Sequence, residues 1–145
     1  MKALIQRVKT ASVMVDHQMV GGIDQGLLLF LGVDKTDNDS DARRLADKVI
    51  SYRVFSDEQG RMNLSLLDLE YQLLIVSQFT LSADTRKGTK PSFSSAAAPL
   101  VAEQLYNDFV SYCCRRVKQV ETGVFGADMQ VSLVNDGPVT FMLEV

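Results

Sequence analysis

The feature that most constrains this chain is an apolar strand that runs directly into a cluster of polar side chains. Residues 73–76 are Leu-Leu-Ile-Val, a continuous aliphatic run typical of a strand covered on both faces. Ser77, Gln78 and Thr80 follow at the point where this strand must emerge from the core. Polar groups at such a position either complete the local hydrogen bonding or face a ligand. The sequence therefore predicts a central strand that ends in a candidate site.

A long polar segment follows this strand end. Residues 82–95 are rich in Ser, Thr, Gly and Pro and carry the basic side chains Arg86, Lys87 and Lys90. Loops longer than about 12 residues are often functional, so we expect an ordered loop beside the strand end. The formal net charge of −3 gives no overall attraction to nucleic acid. An anionic partner would have to bind local basic groups such as these, and the alternative is a solvated basic face.

Several short strands are predicted at the start of the chain. Residues 2–8 are expected to pair with residues 12–15, and a tight turn over 16–18 leads into a strand over 19–23. A second buried strand is indicated over 26–33, where an apolar run is bounded by glycines. The chain therefore opens as an antiparallel β segment.

Two helices are predicted between the strands. Apolar residues at the 3.6-residue spacing of a buried helical face indicate one helix over 39–51 and another over about 96–118, the latter with Ser94 or Ser95 as its N-cap. The order of elements is then a β pair, two strand–helix units and a closing β run. This order predicts an α/β fold with a mixed, barrel-like β-sheet and two helices packed on one side, in one domain over residues 1–145.

The sequence argues against several common catalytic designs. His17 is the sole histidine and lies in a predicted turn, so a Ser-His-Asp triad is close to excluded. No phosphate-binding loop, dinucleotide fingerprint or His-Glu-x-x-His motif is present. Cys113 and Cys114 are adjacent and lack the spacing of a zinc site. We predict no metal and no cofactor, so an enzyme with this sequence would work by binding, backbone hydrogen bonds, a hydroxyl group or a group of the substrate.

Two segments remain as candidates for a site. Ser77-Gln-Phe-Thr-Leu81 ends the central strand; backbone amides there could stabilise an oxyanion, and Thr80 is a weak candidate nucleophile. The alternative is a structural cluster of hydroxyl groups. Asn135-Asp-Gly-Pro-Val-Thr140 has the residues of a tight turn, so residues 129–134 and 139–145 are expected to form an antiparallel hairpin.

Together these two segments resemble motifs of the D-aminoacyl-tRNA deacylase family, also called D-tyrosyl-tRNA deacylase. Further matches are spread along the chain at Gln6-Arg-Val8, Lys87-Gly88, Pro91-Ser-Phe93 and Gly123-Val-Phe-Gly-Ala127. The resemblance covers essentially the whole chain. It implies a homodimeric, cytosolic enzyme that hydrolyses the ester between a D-amino acid and the terminal adenosine of tRNA. It also implies removal of glycine mischarged onto non-cognate tRNA.

The resemblance assigns the chemistry to the end of the central strand. Ser77, Gln78, Phe79 and Thr80 are expected to form the catalytic segment, with the backbone N–H groups of Phe79 and Thr80 as oxyanion donors. The 2′-hydroxyl of the terminal adenosine is expected to position the attacking water. A direct nucleophilic role of the Thr80 hydroxyl is the alternative mechanism.

The resemblance assigns chiral selection to Gly137 and Pro138. In the family this peptide bond is cis and is inserted into the other subunit's pocket, where it would face residues 77–80. An L side chain would collide with it, whereas a D side chain or glycine would pass. Arg7 is expected to fix the motif by hydrogen bonding to its backbone, and the alternative is a surface arginine.

The resemblance also suggests how the tRNA is held. Phe125, Gly126 and Ala127 are expected to line the adenine site, although Phe125 could equally belong to the core. The basic side chains expected to reach the phosphates of the acceptor stem are Arg86, Lys87 and Lys90.

The sequence contains no membrane segment, and it leaves two other functions open. No stretch has the roughly 20 apolar residues of a membrane span, so a cytoplasmic location is the default expectation. An RNA-binding module without catalysis would use the same basic loop. A small-ester hydrolase that depends on Thr80 is the third possibility.

Overall fold

The computed structural model describes all residues from Met1 to Val145. It contains eight strands, two α-helices and one short 3₁₀ helix. In chain order these are β1 (Lys2–Val15), β2 (Gln18–Ile23), β3 (Gly26–Gly32), α1 (Asp39–Ile50), β4 (Phe55–Ser56), β5 (Met62–Leu64), β6 (Gln72–Ser77), the 3₁₀ helix (Phe79–Ser82), α2 (Pro99–Cys114), β7 (Val120–Thr122) and β8 (Gln130–Glu144).

β1 is the strand on which the sheet is built. Its first half pairs with β3 and its second half with β2, while β8 runs antiparallel along both halves. β6 and β7 continue the sheet as parallel neighbours beyond β3, which gives the order β2-β1-β3-β6-β7. The two ends of this order approach each other, because a Cβ atom at Gly21 of β2 would overlap the main-chain oxygen of Thr122 in β7. The sheet is therefore nearly closed like a barrel, and the predicted fold class is confirmed.

The central strand β6 is buried on both faces, as its aliphatic run predicted. Leu73 and Ile75 belong to the larger core cluster, which also contains the buried faces of both helices. Leu74 and Val76 belong to a second, smaller cluster on the opposite face. Because side chains alternate along a strand, every position of this segment has an apolar environment. The sheet thus carries one helix-covered face and one face turned into the barrel.

The helices cover one side of the sheet. Leu45 of α1 and Phe109 of α2 are fully buried in the larger core. α1 is capped by Asn38, whose side chain forms a reciprocal capping box with Asp41, and the bounds of α1 confirm the helix predicted over residues 39–51. Each helix connects two parallel neighbours of the sheet, β3 to β6 and β6 to β7. Neither helix is long and apolar enough to cross a membrane.

The predicted pairing of residues 2–8 with residues 12–15 is wrong, because both stretches belong to the single strand β1. Residues 9–11 contain no turn-forming residue, and β8 pairs with β1 on both sides of them. The turn before β2 is confirmed: Asp16 and His17 have positive φ angles of 48° and 63°. The chain reversal therefore lies after the fifteenth residue, where the backbone can adopt the left-handed conformation.

The closing hairpin is also wrong, because residues 130–144 continue in one direction as β8. β8 pairs with β1 at Asn135 opposite Val8 and again at Thr140 opposite Gln6. The residues between them leave the strand and rejoin it. The side chain of Asn135 explains this, since its Oδ1 accepts from the Val139 amide at 2.7 Å and its Nδ2 donates to the Val139 carbonyl at 3.2 Å. Asn135 thereby closes a bulged excursion, residues 136–138, here called the 136–138 loop.

The start of α2 differs from the prediction as well. The helix begins at Pro99 after Ala98, which makes no side-chain cap, so neither Ser94 nor Ser95 is the N-cap. The main chain of residues 95–97 is instead bonded to the segment that follows β3: Lys35 donates to the Ser95 carbonyl at 2.9 Å, and Ala97 donates to the Val33 carbonyl at 3.0 Å. These long-range bonds hold the chain extended where local capping preference favours a helix. Pro99 is tolerated because it occupies the first turn.

Candidate active site

A cavity of about 410 Å³ opens at the carboxyl end of β6. It brings residues 77–79 together with residues 125–127, two segments that lie far apart in the sequence. The rest of its wall is mostly apolar and comes from β3, β6, α2, β8 and residues adjacent to them: Phe30, Leu31, Val33, Val76, Ala97, Pro99, Ala102, Tyr106, Met129 and Val131. The structure thus joins most of the predicted catalytic segment to the predicted adenine site.

The 3₁₀ helix at the cavity mouth is held close to β3. The Gln78 amide donates to the Leu31 carbonyl at 2.8 Å. Gly32 allows the close approach that follows, because a Cβ atom there would lie 2.9 Å from Cβ of Leu81 and 3.2 Å from the Gln78 carbonyl oxygen. The Lys2 ammonium donates to the Leu81 carbonyl at 3.4 Å. The predicted catalytic segment is therefore held against the sheet by a main-chain hydrogen bond to β3, by the close approach at Gly32 and by the Lys2 side chain.

The backbone amides of Phe79 and Thr80 are donors without an acceptor in their own helix. They are the first two residues of the 3₁₀ helix, and the opening N–H groups of any helix lack a preceding carbonyl to bond. Phe79 lines the cavity and is 60% exposed. These amides are free to donate hydrogen bonds to a bound ligand.

The Thr80 hydroxyl lies beside an amide rather than a base. It accepts a hydrogen bond from Nε2 of Gln78 at 2.6 Å, and a carboxamide cannot remove its proton. His17, the sole histidine, is exposed in the turn between β1 and β2. Thr80 itself is exposed and does not belong to the cavity wall. The geometry therefore disfavours Thr80 as an activated nucleophile.

Tyr106 of α2 forms the deep wall of the cavity, and the sequence reasoning did not single it out. Its hydroxyl donates to the Ile75 carbonyl at 2.9 Å, and burial raises the pKa of its phenol to about 12. The ring lies 5.7 Å from that of Phe125, which both lines the cavity and packs against the core. In the sequence Tyr106 is indistinguishable from a core residue, because its helical spacing is that of the buried face.

The 136–138 loop lies outside this cavity in the single chain. Gly137 and Pro138 are exposed, and the peptide bond between them is cis. Arg7 holds the base of the loop: its Nε donates to the Asp136 carbonyl at 2.8 Å, and its Nη1 donates to the Val54 carbonyl at 2.7 Å. The structure thus places Arg7 with the 136–138 loop and separates both from residues 77–80 of the same chain.

The basic loop after the 3₁₀ helix presents two free cations rather than three. Arg86 forms a bidentate pair with Asp84, with N–O distances of 2.9 and 2.7 Å, and the guanidinium holds the pKa of that carboxyl well below its usual range. Lys87 and Lys90 are exposed and form no ion pair with a carboxylate. Main-chain bonds between Asp84 and Ser92 close the loop at its base. The free positive charge of this loop is therefore carried by its lysines.

No group of three or more His, Cys, Asp or Glu side chains lies close enough to hold a metal ion. Cys113 is buried and Cys114 is exposed, and both are free thiols. Burial raises the pKa of the Cys113 thiol to about 12, so this residue behaves as a core side chain. The side chains that bring polar groups to the cavity lining are those of Ser77, Gln78 and Tyr106.

Comparison with known proteins accounts for this arrangement. The sequence model of the family described as D-Tyr-tRNA(Tyr) deacylase matches residues 4–144. The chain belongs to this family. A D-aminoacyl-tRNA deacylase of Shewanella frigidimarina is 62% identical over 145 residues, which cover 100% of both chains. The protein of the same name from Cellvibrio japonicus is 59% identical, over 100% of this chain and 99% of its own.

Solved structures of similar proteins share the whole fold. A protein named c-Myc DNA Unwinding Element Binding Protein superposes with a TM-score of 0.95 at 40% identity, over 100% of this chain and 99% of that chain. A probable eukaryotic D-amino acid tRNA deacylase superposes with a TM-score of 0.84 at 18% identity, over 99% of this chain and 98% of that chain. The second likeness shows that the family fold persists when most residues differ.

Proposed function

We propose that this chain hydrolyses the ester between a D-amino acid and the terminal adenosine of tRNA, releasing the free amino acid and the tRNA. Family membership makes it a hydrolase of the D-aminoacyl-tRNA deacylase type. The observation that carries the proposal is that one cavity unites residues 125–127 with the amide-bearing segment at the end of β6. A tRNA substrate places this activity in the cytoplasm.

The shape and lining of the cavity suit a nucleoside. A volume of about 410 Å³ with mostly apolar walls can bury a purine, and the aromatic rings of Tyr106 and Phe125 stand on one side of it. With the adenine against residues 125–127, the ribose and its ester would lie toward the amides of Phe79 and Thr80. The terminal adenosine is thus the anchor that sets the ester in place.

Backbone amides and the substrate's own hydroxyl supply the chemistry in this proposal. Water, positioned by the 2′-hydroxyl of the adenosine, adds to the ester carbonyl carbon. The negative charge of the tetrahedral intermediate is bound by the N–H groups of Phe79 and Thr80, and a single such donor typically contributes about 10²–10³ in rate. The bond between the acyl carbon and the ribose oxygen then breaks; one proton of the attacking water ends on the ribose oxygen, and the other leaves as the released carboxylic acid ionises.

Chiral selection in this proposal requires a second copy of the chain. The 136–138 loop is exposed and firmly held, yet no residue of it lines the cavity of its own chain. We assign Gly137 and Pro138 to the cavity of the partner, where main-chain carbonyls would hold the substrate ammonium and leave room on one side of Cα only. Rejection of L substrates by about 10⁴-fold needs only about 5.5 kcal/mol. Glycine passes the same filter, which supports removal of glycine from non-cognate tRNA.

The outer edge of β8 supports a homodimer. This 15-residue strand pairs only with β1, so its other edge has no partner in the single chain. Val134 and Met142 of β8 are 55% and 47% exposed. Long edges with apolar side chains are usually covered in stable proteins. A second copy seated there would cover apolar surface of the strand that carries the 136–138 loop.

Thr80→Ala is expected to keep deacylation of D-tyrosyl-tRNA within about tenfold of wild type, because the hydroxyl has no base beside it. The measurement is single-turnover release of tyrosine. Thr80→Ser is the matched control, since it keeps the hydroxyl and removes only the methyl group. A nucleophilic threonine would instead give a loss of 10³-fold or more in Thr80→Ala with activity kept in Thr80→Ser.

The direct test of the activity is release of tyrosine from D-tyrosyl-tRNA and from L-tyrosyl-tRNA, with and without EDTA. The proposal predicts release of the D form alone, unchanged by EDTA. Binding of both tRNAs without release would favour the RNA-binding module, which uses the same lysines. Turnover of simple esters that lack a ribose would favour the Thr80-dependent esterase and contradict the proposal.

A further inference from the structure

Two exposed phenylalanine rings stand together at the rim of the cavity. Phe79 and Phe93 are 60% and 41% exposed, with ring centroids 5.1 Å apart and planes inclined by 53°. Phe79 lines the cavity, whereas Phe93 comes from the loop that follows the 3₁₀ helix. Exposed aromatic side chains in contact with each other form a surface patch of the kind that marks a binding site.

The free lysines of the basic loop lie on the same short segment as Phe93. Hydrogen bonds between the main chains of Asp84 and Ser92, at 2.8 and 3.1 Å, close this loop at its base. Lys87 and Lys90 lie within the closed segment, and Phe93 follows directly after it. The loop that carries Phe93 therefore also carries unpaired positive charge. This charge favours a polyanion over a neutral protein surface.

We propose that the Phe79–Phe93 pair stacks the base of the nucleotide that precedes the terminal adenosine, and that Lys87 and Lys90 bind the phosphates beyond it. This inference rests on the proposed function, which puts the terminal adenosine in the cavity. The 3′ end of tRNA is single-stranded, and proteins bind such strands by stacking bases on aromatic side chains beside basic groups. Stacking accepts any base, so the pair adds affinity without selecting among tRNAs.

The stacking contact is tested by deleting the ring and the base separately and together. The probe is an RNA hairpin with the acceptor stem and a single-stranded CCA end, compared with the same hairpin made abasic at the penultimate position. In the wild type, loss of that base is expected to raise Kd about tenfold. In Phe93→Leu this difference is expected to fall well below tenfold, because one of the two stacking rings is gone and only Phe79 is left. Phe93→Trp restores the difference.

Kinetic measurements on two substrates distinguish loss of the stacking contact from a general structural effect of the substitution. Phe93→Leu is expected to raise KM for D-tyrosyl-tRNA about tenfold and to leave turnover of 3′-O-D-tyrosyl-adenosine, which lacks the preceding nucleotide, unchanged. Equal loss on both substrates would overturn the inference. So would loss of the dimer in Phe93→Leu by sedimentation, which would show that a second copy covers the rings.

Failure of this inference and failure of the proposed function give different results. If the wild type releases no amino acid from either substrate, the deacylase proposal fails, while the hairpin comparison still decides the stacking contact. If the wild type is active but binds the abasic and intact hairpins equally, the stacking contact fails alone. The stacking contact would also be contradicted if the difference in Kd between the intact and abasic hairpins were the same in Phe93→Leu as in the wild type.

Discussion

Gly137→Ala is expected to lower kcat/KM for D-tyrosyl-tRNA by at least about 10²-fold and to remove most of the discrimination against L-tyrosyl-tRNA. Gly137 has φ +152°, a conformation that L residues rarely adopt. A Cβ atom there would lie 2.6 Å from Cγ2 of Val139 and 2.8 Å from its amide nitrogen, so the loop must shift. A shift of about 1 Å at a positioning group can cost about 10²-fold. The measurement is kcat/KM for both tRNA enantiomers.

Gly60→Ala is the matched control for this substitution. Gly60 also has a positive φ, +75°, but nothing lies within 4 Å of the position of its Cβ, and it stands in the turn between β4 and β5. This variant is expected to lose about 1–2 kcal/mol of unfolding free energy from the backbone conformation alone, with enantiomer discrimination unchanged. Wild-type activity and discrimination in Gly137→Ala would contradict the assignment of the 136–138 loop.

Arg7→Lys is expected to lower deacylation of D-tyrosyl-tRNA by about 10- to 100-fold even though the charge is kept. The guanidinium bonds two main-chain carbonyls at once, those of Asp136 and Val54, through separate nitrogens. A lysine ammonium has no planar fork and cannot reproduce both bonds. The side chain is 13% exposed, so a carbonyl left without its donor costs about 1–3 kcal/mol. Urea unfolding and single-turnover kinetics measure the two effects.

Arg53→Lys is the control for loss of a bidentate arginine elsewhere. Arg53 donates to the main-chain oxygen of Asn63 and to its side chain, and it makes no hydrogen bond to the 136–138 loop. It is expected to change unfolding free energy slightly and kinetics not at all. If Arg7→Lys and Arg53→Lys have the same small effect on kinetics, Arg7 does not position the loop.

The elements that the sequence predicted best are those with a local cause. The aliphatic run of β6 and the helical spacing of the apolar residues in α1 are patterns among neighbouring residues, and the structure contains both elements. Of the polar residues at the end of β6, Ser77 and Gln78 line a cavity, whereas Thr80 does not. Residue patterns alone could not predict which segment faces the end of β6 across the cavity. Residues 125–127 reach that position only because β7 pairs in parallel with β6.

The errors arose where distant contacts decide between local alternatives. Asn135-Asp-Gly-Pro138 has the composition of a tight turn, and the same composition serves an excursion from a continuous strand. The continuous strand is favoured because β1 pairs with β8 on both sides of the loop and because the Asn135 side chain closes the loop. The early start predicted for α2 failed for the same reason, since residues beyond β3 bond the main chain at 95–97. Tyr106 was missed because a cavity wall and a core face have the same helical spacing.

The measurement that tests the central claim most directly is complementation between two defective chains. Gly137→Ala distorts the 136–138 loop and leaves the cavity intact. Ala127→Trp fills the cavity and leaves the 136–138 loop intact. Each variant alone is expected to keep at most about 1% of wild-type activity on D-tyrosyl-tRNA. A mixed dimer, purified through a different tag on each chain, would combine one intact cavity with the partner's intact loop. Recovery of about half the wild-type activity per dimer, selective for the D form, is the predicted result. A mixed dimer as inactive as its parents would contradict a site completed across two chains.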